Sequence, residues 1–82
     1  MTNTEMLVVL ESPETRFRAF ESNVGTVLDA TSAGTIYQFQ RSNADRRWRH
    51  TYTSTYGNCS GAGTLGRITD PGINNLLEAS VA

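Results

Sequence analysis

Apolar and polar positions along the chain fall into short blocks whose period changes several times. Met6-Leu7-Val8-Val9-Leu10 is a continuous apolar run rich in strand formers, which predicts a short buried strand. Ser12-Pro13-Glu14 follows with a hydroxyl, a proline and an acid in the order that opens a helix. Phe17, Phe20 and Val24 then recur at helical spacing, and Gly25 stands where a C-terminal cap belongs. Arg16 to Phe20 also alternates as a strand does, but the cap signal selects the helix. Beyond Gly25 the period becomes two. Thr26 to Ala30, Thr35 to Arg41 and Arg47 to Thr55 read as three strands, joined by the turn-like segments Thr31-Ser32-Ala33-Gly34 and Ser42-Asn43-Ala44-Asp45.

The clearest alternation lies in Arg46-Arg47-Trp48-Arg49-His50-Thr51-Tyr52-Thr53-Ser54-Thr55-Tyr56. Side chains of a strand point to opposite faces in turn, so Trp48, His50, Tyr52, Ser54 and Tyr56 share one face. Arg47, Arg49, Thr51, Thr53 and Thr55 share the other. Folding the three strands through the two turns sets Ala30 against Thr35, Leu28 against Tyr37, Phe39 against Trp48 and Tyr37 against His50. The sheet then sorts into a core face (Leu28, Ala30, Tyr37, Phe39, Trp48, His50, Tyr52) and a polar face. Val27, Asp29, Ile36, Gln38, Gln40, Arg47, Arg49 and Thr51 make up the polar face. A slip of one residue in either hairpin would mix the two sets, so the pattern specifies the parity of the register.

Tyr56 to Gly66 is glycine-rich and polar and predicts a loop. Arg67-Ile68-Thr69 predicts a short strand, and Asp70-Pro71 opens a last helix with Ile73, Leu76 and Leu77 on its apolar stripe. The expected fold is α+β: a small antiparallel meander of three to five strands, with two helices packed on one face. One domain spans residues 1–82.

Composition narrows the function. Net charge is −1, which gives no global attraction to an extended nucleic acid or an anionic membrane. The charge is uneven, with five acids and two arginines in residues 1–30 and three acids and five arginines in residues 31–82. All seven basic residues are arginine, the side chain with a planar fork for carboxylate or phosphate, although a GC-rich genome produces the same bias. Cys59 is the only cysteine, so no disulfide forms within the chain, and no apolar stretch is long enough to span a bilayer. A cytoplasmic protein without membrane attachment is expected.

Several motifs touch on chemistry. Gly61-Ala62-Gly63-Thr64-Leu65-Gly66 matches the dinucleotide pattern of spaced glycines. That mechanism needs a helix opening at the third glycine, whereas the next helix signal comes only at Asp70. A loop whose N–H groups, with Arg67, close over an anion is the better reading. His50 and Cys59 suggest a base and a nucleophile, but no third group is placed and His50 falls on the core face. The aromatic row of Tyr37, Phe39, Trp48 and Tyr52 suits base stacking, yet it is also the main apolar face available to a core.

The polar face carries the functional expectation. Arg46, Arg47 and Arg49 supply forked cationic donors, Gln38 and Gln40 supply amides, and Arg67 and Tyr56 complete the set from the following segment. The expected protein is a small binder rather than an enzyme, without cofactor or metal. It recognises an anionic ligand, either a nucleotide-like small molecule or a nucleic-acid backbone. The alternative is a small protein-binding inhibitor of the kind that mobile elements encode. It would meet its partner through the same face or through an acidic first helix bearing Glu14 and Glu21. Val27 and Ile36, apolar within the polar face, suit a protein contact that includes a homodimer.

Overall fold

A computed structural model describes residues 1–55, 58–60 and 63–82. The elements run α1 (Asn3–Glu11), β1 (Arg16–Ser22), β2 (Gly25–Ser32), β3 (Thr35–Ser42), β4 (Trp48–Thr55), β5 (Asn58–Ser60), β6 (Gly66–Arg67) and α2 (Pro71–Val81). The fold is α+β, as expected. Five strands form an antiparallel meander in the order β1-β2-β3-β4-β5, and β6 also pairs with β4. β5 pairs with Thr53 to Thr55 and β6 with Arg49 and His50, so these two short strands share the far edge of β4. Both helices lie on one face, where Met6 and Leu10 of α1 and Ile73 and Leu77 of α2 meet Leu28, Ala30, Phe39, Trp48 and Ile68. Among the described residues no helix is long and apolar enough to cross a membrane.

The first two elements correct the sequence reading. Met6 to Leu10 lies within helix α1 rather than a strand. The Thr2 side chain accepts the Glu5 N–H at 3.1 Å, and the Glu5 carboxylate accepts the Thr2 N–H at 2.8 Å. This reciprocal capping satisfies two helix-end donors and starts the helix upstream of the apolar run. Met6, Leu7 and Leu10 then share one side, and Val8 is exposed. Ser12-Pro13 ends this helix instead of opening the next. Phe17 and Phe20 belong to strand β1, the alternating pattern that had been set aside. There is consequently no acidic first helix bearing Glu14 and Glu21. Glu14 lies in the turn after α1, and Glu21 lies on β1, where it accepts a hydrogen bond from Thr26. Gly25 caps no helix; it opens β2 with φ +149°, and the Arg41 carbonyl fills the space that its Cβ would take.

The three central strands occur where the alternation puts them. Leu28, Ala30, Phe39, Trp48 and His50 are buried on the helix side, and Tyr37 packs against them. The first link is shorter than expected. Strand pairing continues to Ser32 opposite Thr35, leaving Ala33-Gly34 as a two-residue turn with φ of 50° and 79°. Positive φ at both positions is what a tight right-twisted hairpin needs. The register therefore moves by two, pairing Ala30 with Tyr37 and Leu28 with Phe39. An even shift preserves every face.

The second hairpin contains a bulge. Phe39 pairs with His50 but Gln38 pairs with Tyr52, so Thr51 is an extra residue on β4. Beyond it the faces of β4 exchange. Tyr52, expected in the core, joins the polar face, and Thr53 comes to the core side opposite Tyr37. Asn58–Ser60, expected within a loop, forms β5.

Candidate functional site

Strand register assembles the candidate site at the β3–β4 end of the polar face. Paired residues present their side chains on the same side of a sheet, about 4.5–5.5 Å apart at Cβ. Following the pairs across the sheet gives one row, Arg67–Arg49–Gln40–Val27–Phe20. The next row is Tyr52–Gln38–Asp29–Arg18. Arg47, just ahead of β4, is exposed at the end of the first row, and Arg46 is exposed in the turn before it. Arg46 has φ 56°, a left-handed conformation uncommon for a side chain of this size. Its N–H is anchored on the Ser42 carbonyl at 2.8 Å.

Arg49 and Arg67 lie directly opposite each other, a like-charge arrangement that destabilises a strand pair unless a counter-charge is near. Asp45 is that counter-charge. Its carboxylate meets Arg49 Nη2 at 2.6 Å and accepts the Arg47 N–H at 3.1 Å. The hydrogen bond from Arg49, then that from the Arg47 backbone, hold the Asp45 carboxyl down to about 2. The same bond raises the Arg49 guanidinium above its ordinary value. One carboxylate thus faces Arg47, Arg49 and Arg67, and among the described residues neither Arg47 nor Arg67 has an ion pair.

Two concave surfaces flank this arginine segment. One, of about 280 Å³, is lined by Ser22, Val24, Gly25, Gln40, Arg41, Ser42 and Arg49, with Thr26 at its base. Gln40 makes no hydrogen bond among the described residues and presents its amide to this space. The other, of about 250 Å³, lies between Arg46, Arg47, Trp48, Ile68, Asn74 and Glu78.

Other expected site residues are engaged elsewhere. Gln38 donates to Asp29 at 3.1 Å and to the Tyr52 hydroxyl at 3.2 Å, so its amide holds the sheet face together. Arg41, expected to flank the polar patch, turns to the helix side. It binds Glu78 at 2.7 Å, lies 5.3 Å from the Trp48 ring centre and donates to Thr26. Glu78 is held below the usual carboxylate range, first by Arg41 and also by the Trp48 N–H at 2.9 Å. Val27 is only 5 % exposed between Phe20 and Gln40, which removes it as a contact patch. Tyr56, with Gly57, Gly61 and Ala62 of the expected flap, lies outside the described residues. Arg67 is fixed in β6 and not carried on a flap. Gly66–Arg67 is a strand, which takes away the helix start that a dinucleotide site requires.

His50 is buried and already occupied. Its Nδ1 accepts the Leu65 N–H at 3.0 Å, and its Nε2 is 3.1 Å from the Thr53 hydroxyl. An acceptor at Nδ1 places the proton of the neutral ring on Nε2. Burial pushes the imidazole below its ordinary value of 6.5. Trp48, 2 % exposed among core residues, is part of the core and not a stacking platform. Among the described residues no group of three or more His, Cys, Asp or Glu is placed to hold a metal.

Three partners escaped sequence reading: Asp45 for Arg49, Asp29 for Gln38 and Thr53 for His50. The first follows from a turn that folds Asp45 back on β4, and the last from the bulge at Thr51. Comparison with known proteins returns no match: no family model, no curated protein and no solved structure is significantly similar to this chain.

Proposed function

We propose that this protein is a small non-enzymatic binder whose arginine segment holds an anionic ligand. Phosphate is the group that suits it best. The observation that carries this reading is the pairing of Arg67 opposite Arg49, beside Gln40 and Arg47, with Asp45 as the only carboxylate bound among them. A phosphate between Arg47 and Arg67 accepts forked charge-assisted hydrogen bonds and relieves their mutual repulsion. Gln40 adds a neutral donor at the mouth of the adjoining cavity. Arg49, already tied to Asp45, acts as a fixed positive wall. The cavity of about 280 Å³ matches a small phosphorylated molecule, and the net charge of −1 favours it over an extended duplex. The engagement of both His50 ring nitrogens supports binding without catalysis.

Calorimetric titration with inorganic pyrophosphate, adenosine triphosphate and a short single-stranded oligonucleotide tests this reading. Saturable binding that weakens as salt rises is expected. Arg47→Ala with Arg67→Ala is expected to weaken it by about tenfold or more, since each lost charge-assisted bond contributes about 1.5–3 kcal/mol. The melting temperature should barely move, because both side chains are exposed. A response to the oligonucleotide alone would direct the same chemistry to a nucleic-acid backbone. Equal binding by wild type and variant, or no binding of any probe, would overturn the proposal.

A protein partner is the second reading, and the exposed Phe17, Phe20 and Val24 at the opposite edge of the sheet favour it.

A further inference from the structure

We infer that the exposed edge of β1 is where a second copy of this chain docks, strand against strand about a twofold axis at Ala19. Strand β1 is paired on one side only, by β2, through seven consecutive residues without a register shift. Its other side is a row of outward backbone groups. Edge strands are usually shielded by lysine, proline, a bulge or an inward-pointing charge. Residues Arg16 to Ser22 contain no lysine or proline, and the pairing shows no bulge. Instead the strand exposes Phe17 and Phe20, 39 % and 41 % accessible. They lie on opposite faces, Phe17 in register with Ala30 on the helix side and Phe20 with Val27 on the polar side.

The order of side chains selects a second copy as the occupant. Two arginines, Arg16 and Arg18, occupy the first half of the strand, and Glu21 lies in the second. An antiparallel twofold pairing centred on Ala19 brings the basic half of each copy against the half of the other that carries Phe20 and Glu21. Arg18 then faces Phe20 of the second copy, Phe17 faces Glu21, and the small Ala19 sits at the axis. A twofold pair in a continuous sheet joins residues of equal parity, so this register keeps each face intact. Centring on Arg18 instead would oppose two arginines, which like-charge repulsion disfavours. Within one chain the Arg18 guanidinium already lies 5.4 Å from the Phe20 ring centre. In the pair the two arginines and two phenylalanines alternate, so each cation meets a ring face from both copies. The joined sheet leaves both arginine segments free at its outer ends, so this inference stands independently of the anion-binding reading.

Sedimentation equilibrium over a concentration series, with two variants of one residue, tests it. The wild type is expected to dimerise reversibly. Phe20→Lys sets an ammonium against Arg18 of the second copy at two symmetric places and is expected to raise the dimer dissociation constant about tenfold or more. Phe20→Glu sets a carboxylate there and is expected to retain the dimer, although it removes the same apolar surface. Melting curves confirm that both variants fold. Amide exchange of the wild type gives a measurement free of substitution, in which β1 amides slow as concentration rises while those of α2 do not. A chain that stays monomeric at all concentrations overturns the inference. So does equal loss of dimer in both variants, or β1 protection that appears only when a foreign extended peptide is added.

Discussion

At the scale of single residues, the core face depends on two polar side chains whose buried atoms all have partners. His50 lies 5.2 Å from Phe39 between ring centres, and it ties β6 to the sheet through the Leu65 N–H. Protonation would put a hydrogen on Nδ1 where an acceptor is required. The folded state therefore holds the imidazole below its unfolded value of about 6.5, and the unfolded chain takes up the proton first. His50 contributes this stability fully above the unfolded value, and the contribution is lost as pH falls towards the folded value. Denaturant unfolding between about pH 7 and pH 5 should show stability falling with acidification in the wild type. His50→Gln should flatten that fall. An unchanged slope would show that other groups govern this window.

Trp48 gives the second prediction at this scale. Trp48→Ala should destabilise by about 3–5 kcal/mol, as for a buried aromatic side chain. Trp48→Phe keeps most of the ring but removes the N–H that meets Glu78 at 2.9 Å, and should cost about 1 kcal/mol. Similar small losses in both variants, read from denaturant midpoints, would contradict the core role. Asp45 was not legible as a partner of Arg49, because the link depends on how the turn folds back. Spacing of four residues has a defined meaning on a helix and none in a hairpin.

At the scale of elements, legibility tracked how many strands constrained each other. Leu28, Phe39 and Trp48 are buried because the parity of three strands agrees, and this agreement survives loop-length errors of an even number. The Thr51 bulge is an odd change, and it moved Tyr52 to the polar face. No residue type at Thr51 announces it. The first two elements were exchanged because local capping signals compete. Ser12-Pro13 can end one element or begin another, and the Thr2–Glu5 capping box lies at the very start of the chain. Phe17 and Phe20 fit a helix or a strand equally when no partner strand tests them.

Gly25 carries the element-scale prediction. A Cβ there would stand 1.9 Å from the Arg41 carbonyl oxygen, in a backbone conformation that side chains rarely adopt. Gly25→Ala should destabilise by about 1–3 kcal/mol or more. At Gly34, also left-handed, nothing lies within 4 Å, so Gly34→Asn should cost much less. Equal melting temperatures for these two variants would show that the β2–β3 approach is not tight.

At the scale of the molecule, the sheet separates two kinds of surface. One edge, β1, exposes phenylalanines and an unpaired backbone. The other gathers arginines from the turn before β4, from β4 and from β6. Exposed ion pairs contribute little to stability, so this arginine segment is not explained by what it adds to the fold. The central claim is that it exists to hold an anion. Amide chemical-shift mapping during titration with inorganic pyrophosphate tests this most directly, because it reports position as well as binding. The account predicts saturable shifts centred on Arg46, Arg47, Arg49, Arg67 and Gln40, and reversed by added salt. Shifts confined to α1 and β1, or no shifts at millimolar pyrophosphate, would contradict it.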